Sequence, residues 1–95
     1  MELSGAVWHF PTMPRYFFNL RNDLDVDDLE GLDLPNLEAA HVEAVRLTRN
    51  MVAVGAQEEG RINLSHRIEV TDSNGTALFT VKFGDAVRIE GPSDP

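Results

Sequence analysis

Two runs of alternating residues, Ser65–Asp72 and Thr76–Phe83, meet at Asn74-Gly75. The pairing imposed by that dipeptide constrains the fold more than any other feature of the chain. A two-residue type I′ loop at Asn74-Gly75 sets Val70 opposite Phe79 and Ile68 opposite Val81. All four then share one face, with His66 opposite Phe83 beyond them. A three-residue loop would instead set Ile68 against Thr80 and Glu69 against Phe79, mixing polar with apolar. A one-residue slip turns every side chain to the other face, so the first register is the expected one. The other face would carry Arg67, Glu69, Thr71, Thr80 and Lys82, together with Leu78.

An apolar sheet face needs a second layer to cover it. The candidate is a helix opening at Pro35-Asn36, where the Asn36 side chain can accept from the first free backbone N–H groups. Leu37, Ala40, Ala44, Leu47 and Met51 recur at three- and four-residue steps, with Val45 and Val52 widening the stripe. Glu38 and Glu43 lie toward its start and Arg46 and Arg49 toward its end, an arrangement that complements the helix dipole. Gly55 is the expected stop. Ala56–Leu64 then reads as a polar connection.

Ahead of the helix, Arg15 to Arg21 is rich in aromatics and reads as a strand. Tyr16, Phe18 and Leu20 share one face; Phe17, Asn19 and Arg21 share the other. Residues 22–30 hold Asp23, Asp25, Asp27, Asp28 and Glu30 and read as a solvated, mobile turn leading to a short returning strand over Gly31–Leu34. After Gly84, Asp85–Glu90 is expected as a helical turn rather than an edge strand. The fold class is therefore α+β, with the order β-β-α-β-β: an antiparallel sheet of three to four strands and one helix packed on one face. Residues 13–90 form the expected domain. Residues 1–12, which hold Trp8, are expected to be a flexible extension and 91–95 a tail.

Sixteen acidic residues stand against eight basic ones, a formal net charge of -8. Such a surface repels a phosphate backbone, so direct nucleic-acid binding is disfavoured; the charge reads first as solubility and, more sharply, as an acidic surface aimed at a basic partner. No cysteine is present, which removes thiolate chemistry and cysteine-ligated zinc and fits a reducing compartment. No apolar run is long enough to span a bilayer, and Ala6-Val7-Trp8 is too short for a signal peptide core. A cytoplasmic address is expected, with no membrane contact.

Candidate chemistry is sparse. Asp23, Asp25 and Asp27 have the spacing of the first ligands of an EF-hand loop. The sixth position would then be Asp28 in place of Gly, and the twelfth Leu34 in place of Glu, so a calcium site is not expected. His9, His41 and His66 make no pair at metal-ligand spacing on one element, and no residues mark a catalytic constellation or a cofactor. What stands out is two apolar residues, Phe17 and Leu78, on the sheet face away from the helix. With Thr80 they form the candidate interaction surface.

Met13–Leu20, the Glu30-Gly31-Leu32-Asp33-Leu34-Pro35 run entering Leu37-Glu38-Ala39-Ala40, His66–Asp72, and Phe83-Gly84-Asp85-Ala86-Val87 stand in this order along the chain. In these pieces the chain resembles a family of small bacterial proteins of unknown function whose members typically open Met-Pro-Arg-Tyr-Phe-Phe. The resemblance starts at Met13, which implies that residues 1–12 are an extension or follow an early start codon. It carries no activity that could be transferred. A second similarity is to the antitoxin component of small toxin–antitoxin pairs, where an acidic strand and loop pass through Leu-Pro into an Ala-rich helix; the DNA-binding segment usual there has no counterpart here.

The expected function is a non-catalytic protein-binding or regulatory module, homodimeric in one version through the open sheet face. The alternative is a small-ligand or enzymatic domain using residues near the acidic turn and His66. Antitoxin-like neutralisation of a basic protein is a third. A flat apolar sheet face would speak for the first, and a concave pocket lined by His or carboxylates for the second.

Overall fold

The computed structural model describes residues 13–91; the expectations for Trp8, His9 and both chain ends fall largely outside that range. Four strands and two helices follow one another as β1 (Arg15–Arg21), β2 (Leu32–Asp33), α1 (Leu37–Glu59), β3 (Arg67–Thr71), β4 (Ala77–Lys82) and α2 (Phe83–Ala86). The strands form one antiparallel sheet in the order β2-β1-β3-β4. This is an α+β fold with one main helix on one face, as the patterning implies.

The core is where alternation and helical period agree. Tyr16 and Phe18 from β1, Ile68 and Val70 from β3, and Val81 from β4 are buried against Ala40, Ala44 and Val52 of α1. Thr48 joins them at 0% exposure, its Oγ1 donating to the Ala44 carbonyl at 2.7 Å. Ala40, Ala44 and Thr48 are four residues apart and small, so the line of closest approach to the sheet runs along them. Leu37, expected in the stripe, is half exposed.

The helix is longer than Gly55 suggests. Asn36 caps the start, its Oδ1 accepting from Ala39 N–H at 2.8 Å. The end comes at Gly60, whose φ of 69° is the left-handed conformation glycine adopts freely and whose N–H reaches the Ala56 carbonyl. Gly55 sits inside the helix, a tolerated loss of propensity rather than a stop. Consequently Arg46 and Arg49 are mid-helix, and the last turn holds no basic residue. Arg46 pairs with Glu43, while Arg49 donates from Nε to the Ala86 carbonyl at 2.7 Å and so holds α2 against α1.

The second hairpin keeps the expected core pairs, Ile68 with Val81 and Val70 with Phe79, by a different route. Only glycines have positive φ among the described residues, so Asn74 cannot occupy a type I′ position. Asp72 N–H instead donates to the Thr76 carbonyl, and the Asp72 carboxylate accepts from Asn74 and Thr76 N–H at 2.8 and 2.9 Å. The tip is thus a three-residue loop, with Gly75 at φ 82°. Thr71 faces Ala77 while Val70 faces Phe79, so Leu78 is an extra residue taken up as a β-bulge. Turning Ile68, Val70, Val81 and the partly buried Phe79 to the outer face would cost far more than one bulge, so the apolar pattern wins over the turn length.

Beyond Lys82 the strand does not continue to Phe83. That residue opens α2 and is buried, its ring 5.5 Å from His66 in an edge-on arrangement and its N–H on the His66 carbonyl. The helical turn expected after Gly84 therefore starts at Phe83, with Val87 already extended.

Candidate interaction surface and cleft

The long connection of the first hairpin is built, where a mobile turn was expected. After β1 the chain doubles back, and Val26 pairs with Leu20 through two backbone hydrogen bonds of 2.8 and 2.9 Å. Leu32 later pairs with Tyr16. Between these contacts the returning chain is two residues longer than β1, and Asp28 fills the gap. Its carboxylate accepts from Phe18 N–H at 3.2 Å, Glu30 N–H at 3.0 Å and Gly31 N–H at 3.1 Å, replacing the missing strand partner. Burial pushes this carboxyl up, and the three N–H donors outweigh that and hold it below the ordinary carboxylate range.

Asn19 receives the loop from the sheet side. It is 5% exposed, with Oδ1 accepting from Asp28 N–H at 2.9 Å and Nδ2 donating to the Glu69 carbonyl and Thr71 Oγ1. A buried amide with these partners satisfied is well accommodated. Two arginines fix the flanks. Arg15 grips both oxygens of Asp33 and the Glu30 carbonyl, while Arg21 reaches Asp27 at 2.8 Å and Glu69 at 3.3 Å. The Arg15 guanidinium holds the Asp33 carboxyl below its usual range.

This loop decides where the candidate residues lie. Phe17 is half-buried beneath Gly31: a Cβ on that glycine would come within 2.9 Å of the Phe17 ring. In the register, the Phe17 row runs through Thr71 to Ala77, with the Leu78 bulge beside it; Thr80 belongs to the next row, opposite Glu69. Leu78, at 37% exposure, and Thr80 remain accessible on β4, two strands from Phe17. The outer face is thus divided by a covering loop rather than being flat and apolar.

Sequence reasoning passed over a different set. Leu24, Val26, Leu29 and Leu32 are 76%, 52%, 88% and 42% exposed, although the segment carrying them is held by Asp28, Arg15 and Arg21. Val26 lies opposite Leu20 and Leu32 opposite Tyr16. Directly paired residues share a face, so both stand on the helix side of the sheet. There α1 lies over β3 and β4, which leaves the β2 edge bare. Asp23, Asp25, Asp27 and Glu30 alternate with these side chains, and that alternation was the available signal.

At the other end of α1 a cleft of about 500 Å³ opens between the last turns of the helix, the connection to β3, and the turn after β1. Val52 and Phe83 line its floor; Asn22, Asp23, Glu59 and His66 are among its polar groups. The acidic turn and His66 are thereby brought to one place. His41, by contrast, lies against Phe79 with ring centroids 5.4 Å apart. Among the described residues no group of three or more His, Asp or Glu is placed to hold a metal ion. No helix there is long and apolar enough to cross a membrane.

An open four-stranded antiparallel sheet with one covering helix defines a small α+β domain. Residues 15–84 match the family described as Domain of unknown function (DUF6894), and the chain belongs to that family. Comparison with curated proteins and with solved structures gives no match.

Proposed function

We propose that this domain is a non-catalytic protein-binding module, cytoplasmic, whose recognition surface is the anchored acidic segment 22–33 with its bare apolar edge. The observation that carries this reading is the exposure of Leu24, Val26, Leu29 and Leu32 on a segment fixed by its own hydrogen bonds. Large apolar groups held in water on an ordered scaffold are characteristic of a surface that another molecule covers. The interleaved carboxylates and the net charge of -8 favour a basic partner with apolar anchors over a second copy of this chain, which would bring like charge to like. This keeps the protein-binding expectation but moves its surface from the outer-face residues Phe17, Leu78 and Thr80 to the β2 edge.

The test is affinity capture from the native cell with the wild type and with a Leu24→Ser, Leu29→Ser variant whose circular dichroism is unchanged. A protein retained by the wild type and lost by the variant is the expected result. Identical captured sets would exclude this surface, and a wild type that scatters light as a dimer would redirect attention to self-association. Small-ligand binding is the second reading, favoured by the cleft beside His66 and Asp23.

A further inference from the structure

We propose that the cleft at the C-terminal end of α1 takes an uncharged, hydroxyl-bearing ring compound of the nucleoside or simple-sugar kind; the inference rests on the small-ligand reading of that cleft. Its volume, about 500 Å³, lies within the range of small-molecule sites. Val52 and Phe83 give it an apolar floor against which the face of a ring can lie.

The polar rim sets the chemistry. Asn22 accepts from Leu24 N–H at 2.7 Å, and Asn63 accepts from Ser65 N–H at 3.0 Å. A backbone N–H can only donate, so the oxygen of each amide is the atom committed to the turn. That leaves the Nδ2 donors, and among the described residues neither makes a hydrogen bond. Asp23 is the complement: its carboxylate, an acceptor only, has no partner among the described residues. Glu59 is engaged by Arg61 at 3.4 Å.

Donors and an acceptor on one rim suit a group that does both, and a hydroxyl is that group. An amine would satisfy Asp23 but leave two amide donors facing it. A phosphate would satisfy the amides but meet the charge of Asp23. A polyhydroxylated neutral ring answers all three groups.

The experiment is amide-resolved NMR titration of the full chain with adenosine and with maltose. Adenosine 5′-monophosphate and tryptamine serve as the charged counterparts. Adenosine or maltose is expected to shift the amides of Asn22, Asn63 and Phe83 and to bind more tightly than either charged probe. Response to one neutral probe alone identifies the source of the hydroxyls. Asn63→Asp keeps the oxygen that Ser65 needs while removing the donor, and should weaken binding roughly fivefold to tenfold. Tighter binding of a charged probe, or unchanged affinity in Asn63→Asp, overturns the ligand class while leaving the cleft a binding site. No shift at the cleft with any of the four probes overturns the small-ligand reading as well.

Discussion

The two hairpins use the same chemical device on different scales. In the β3–β4 hairpin the Asp72 carboxylate accepts from N–H groups two and four residues away, closing its own tip. In the β1–β2 hairpin Asp28 accepts from Phe18, ten residues back, as well as from Glu30 and Gly31, and its own N–H is met by Asn19. The first arrangement needs nothing beyond its own loop. The second holds only if the sheet beneath it is already assembled. A carboxylate can therefore shape a turn locally or act as a long-range splice, and the difference lies in what supports it.

Substituting the support should separate the two most strongly. Asn19→Leu removes the acceptor of Asp28 N–H and the donor to Glu69 and Thr71 at a nearly sealed site. We expect a loss of about 2–3 kcal/mol, against about 1 kcal/mol for Asp72→Ala at its exposed tip. Urea midpoints at constant slope measure both. Equal losses would mean that the long connection is no more dependent on the sheet than the short one.

Glycine provides the next contrast. Gly31 and Gly75 have φ of 73° and 82°, so alanine at either is strained by about 1 kcal/mol. At Gly75 nothing lies within 4 Å of a new Cβ, whereas at Gly31 it would meet Arg15 Cγ at 2.7 Å and the Phe17 ring at 2.9 Å. Gly31→Ala should therefore cost about 2 kcal/mol, the excess over Gly75→Ala reporting overpacking. A Gly31→Ala crystal structure or ring-resonance shift of Phe17 would show which neighbour gives way.

The smallest effect is on acid stability. Asp28 has a folded pKa below its ordinary value of 3.8, so as pH falls the unfolded chain takes up its proton first. The contribution of this carboxylate is fully present above about pH 5 and is lost as pH drops through the folded pKa. Wild type should lose stability more steeply than Asp28→Asn over that interval, while above it the difference between them stays constant. Parallel acid limbs would show that the three N–H bonds do not depend on charge.

Local rules account for what could be read from the chain. The β1 boundaries, the Asn36 cap, the inward set Tyr16, Phe18, Ile68, Val70 and Val81, and the His66–Phe83 neighbourhood all follow from alternation and capping. The helix ran past Gly55 because the cost of an interior glycine is small beside four further residues of backbone bonding before Gly60. Asn74 invited a two-residue turn, but the Asp72 carboxylate favoured the three-residue tip. Thr48 was not among the expected stripe residues, yet it sits at the centre of the packed line with its hydroxyl satisfied within its own helix. Least legible were the anchored segment and the cleft. Five acids in nine residues look like a solvated turn, and only the three-dimensional position of Asn19 and Phe18 makes Asp28 different from Asp25. The cleft joins Asn22 to Asn63, which nothing in the one-dimensional pattern connects.

The bulge at Leu78 gives the second hairpin a length buffer. Because the surplus residue is absorbed between Ala77 and Phe79, the number of residues in the tip and the alignment of the inward-facing pairs are separate variables. A chain one residue shorter could drop the bulge, keep the three-residue tip, and leave Val70 and Phe79 paired as they are. The outer end of this hairpin is thus the place where this domain can change its length without its interior taking notice.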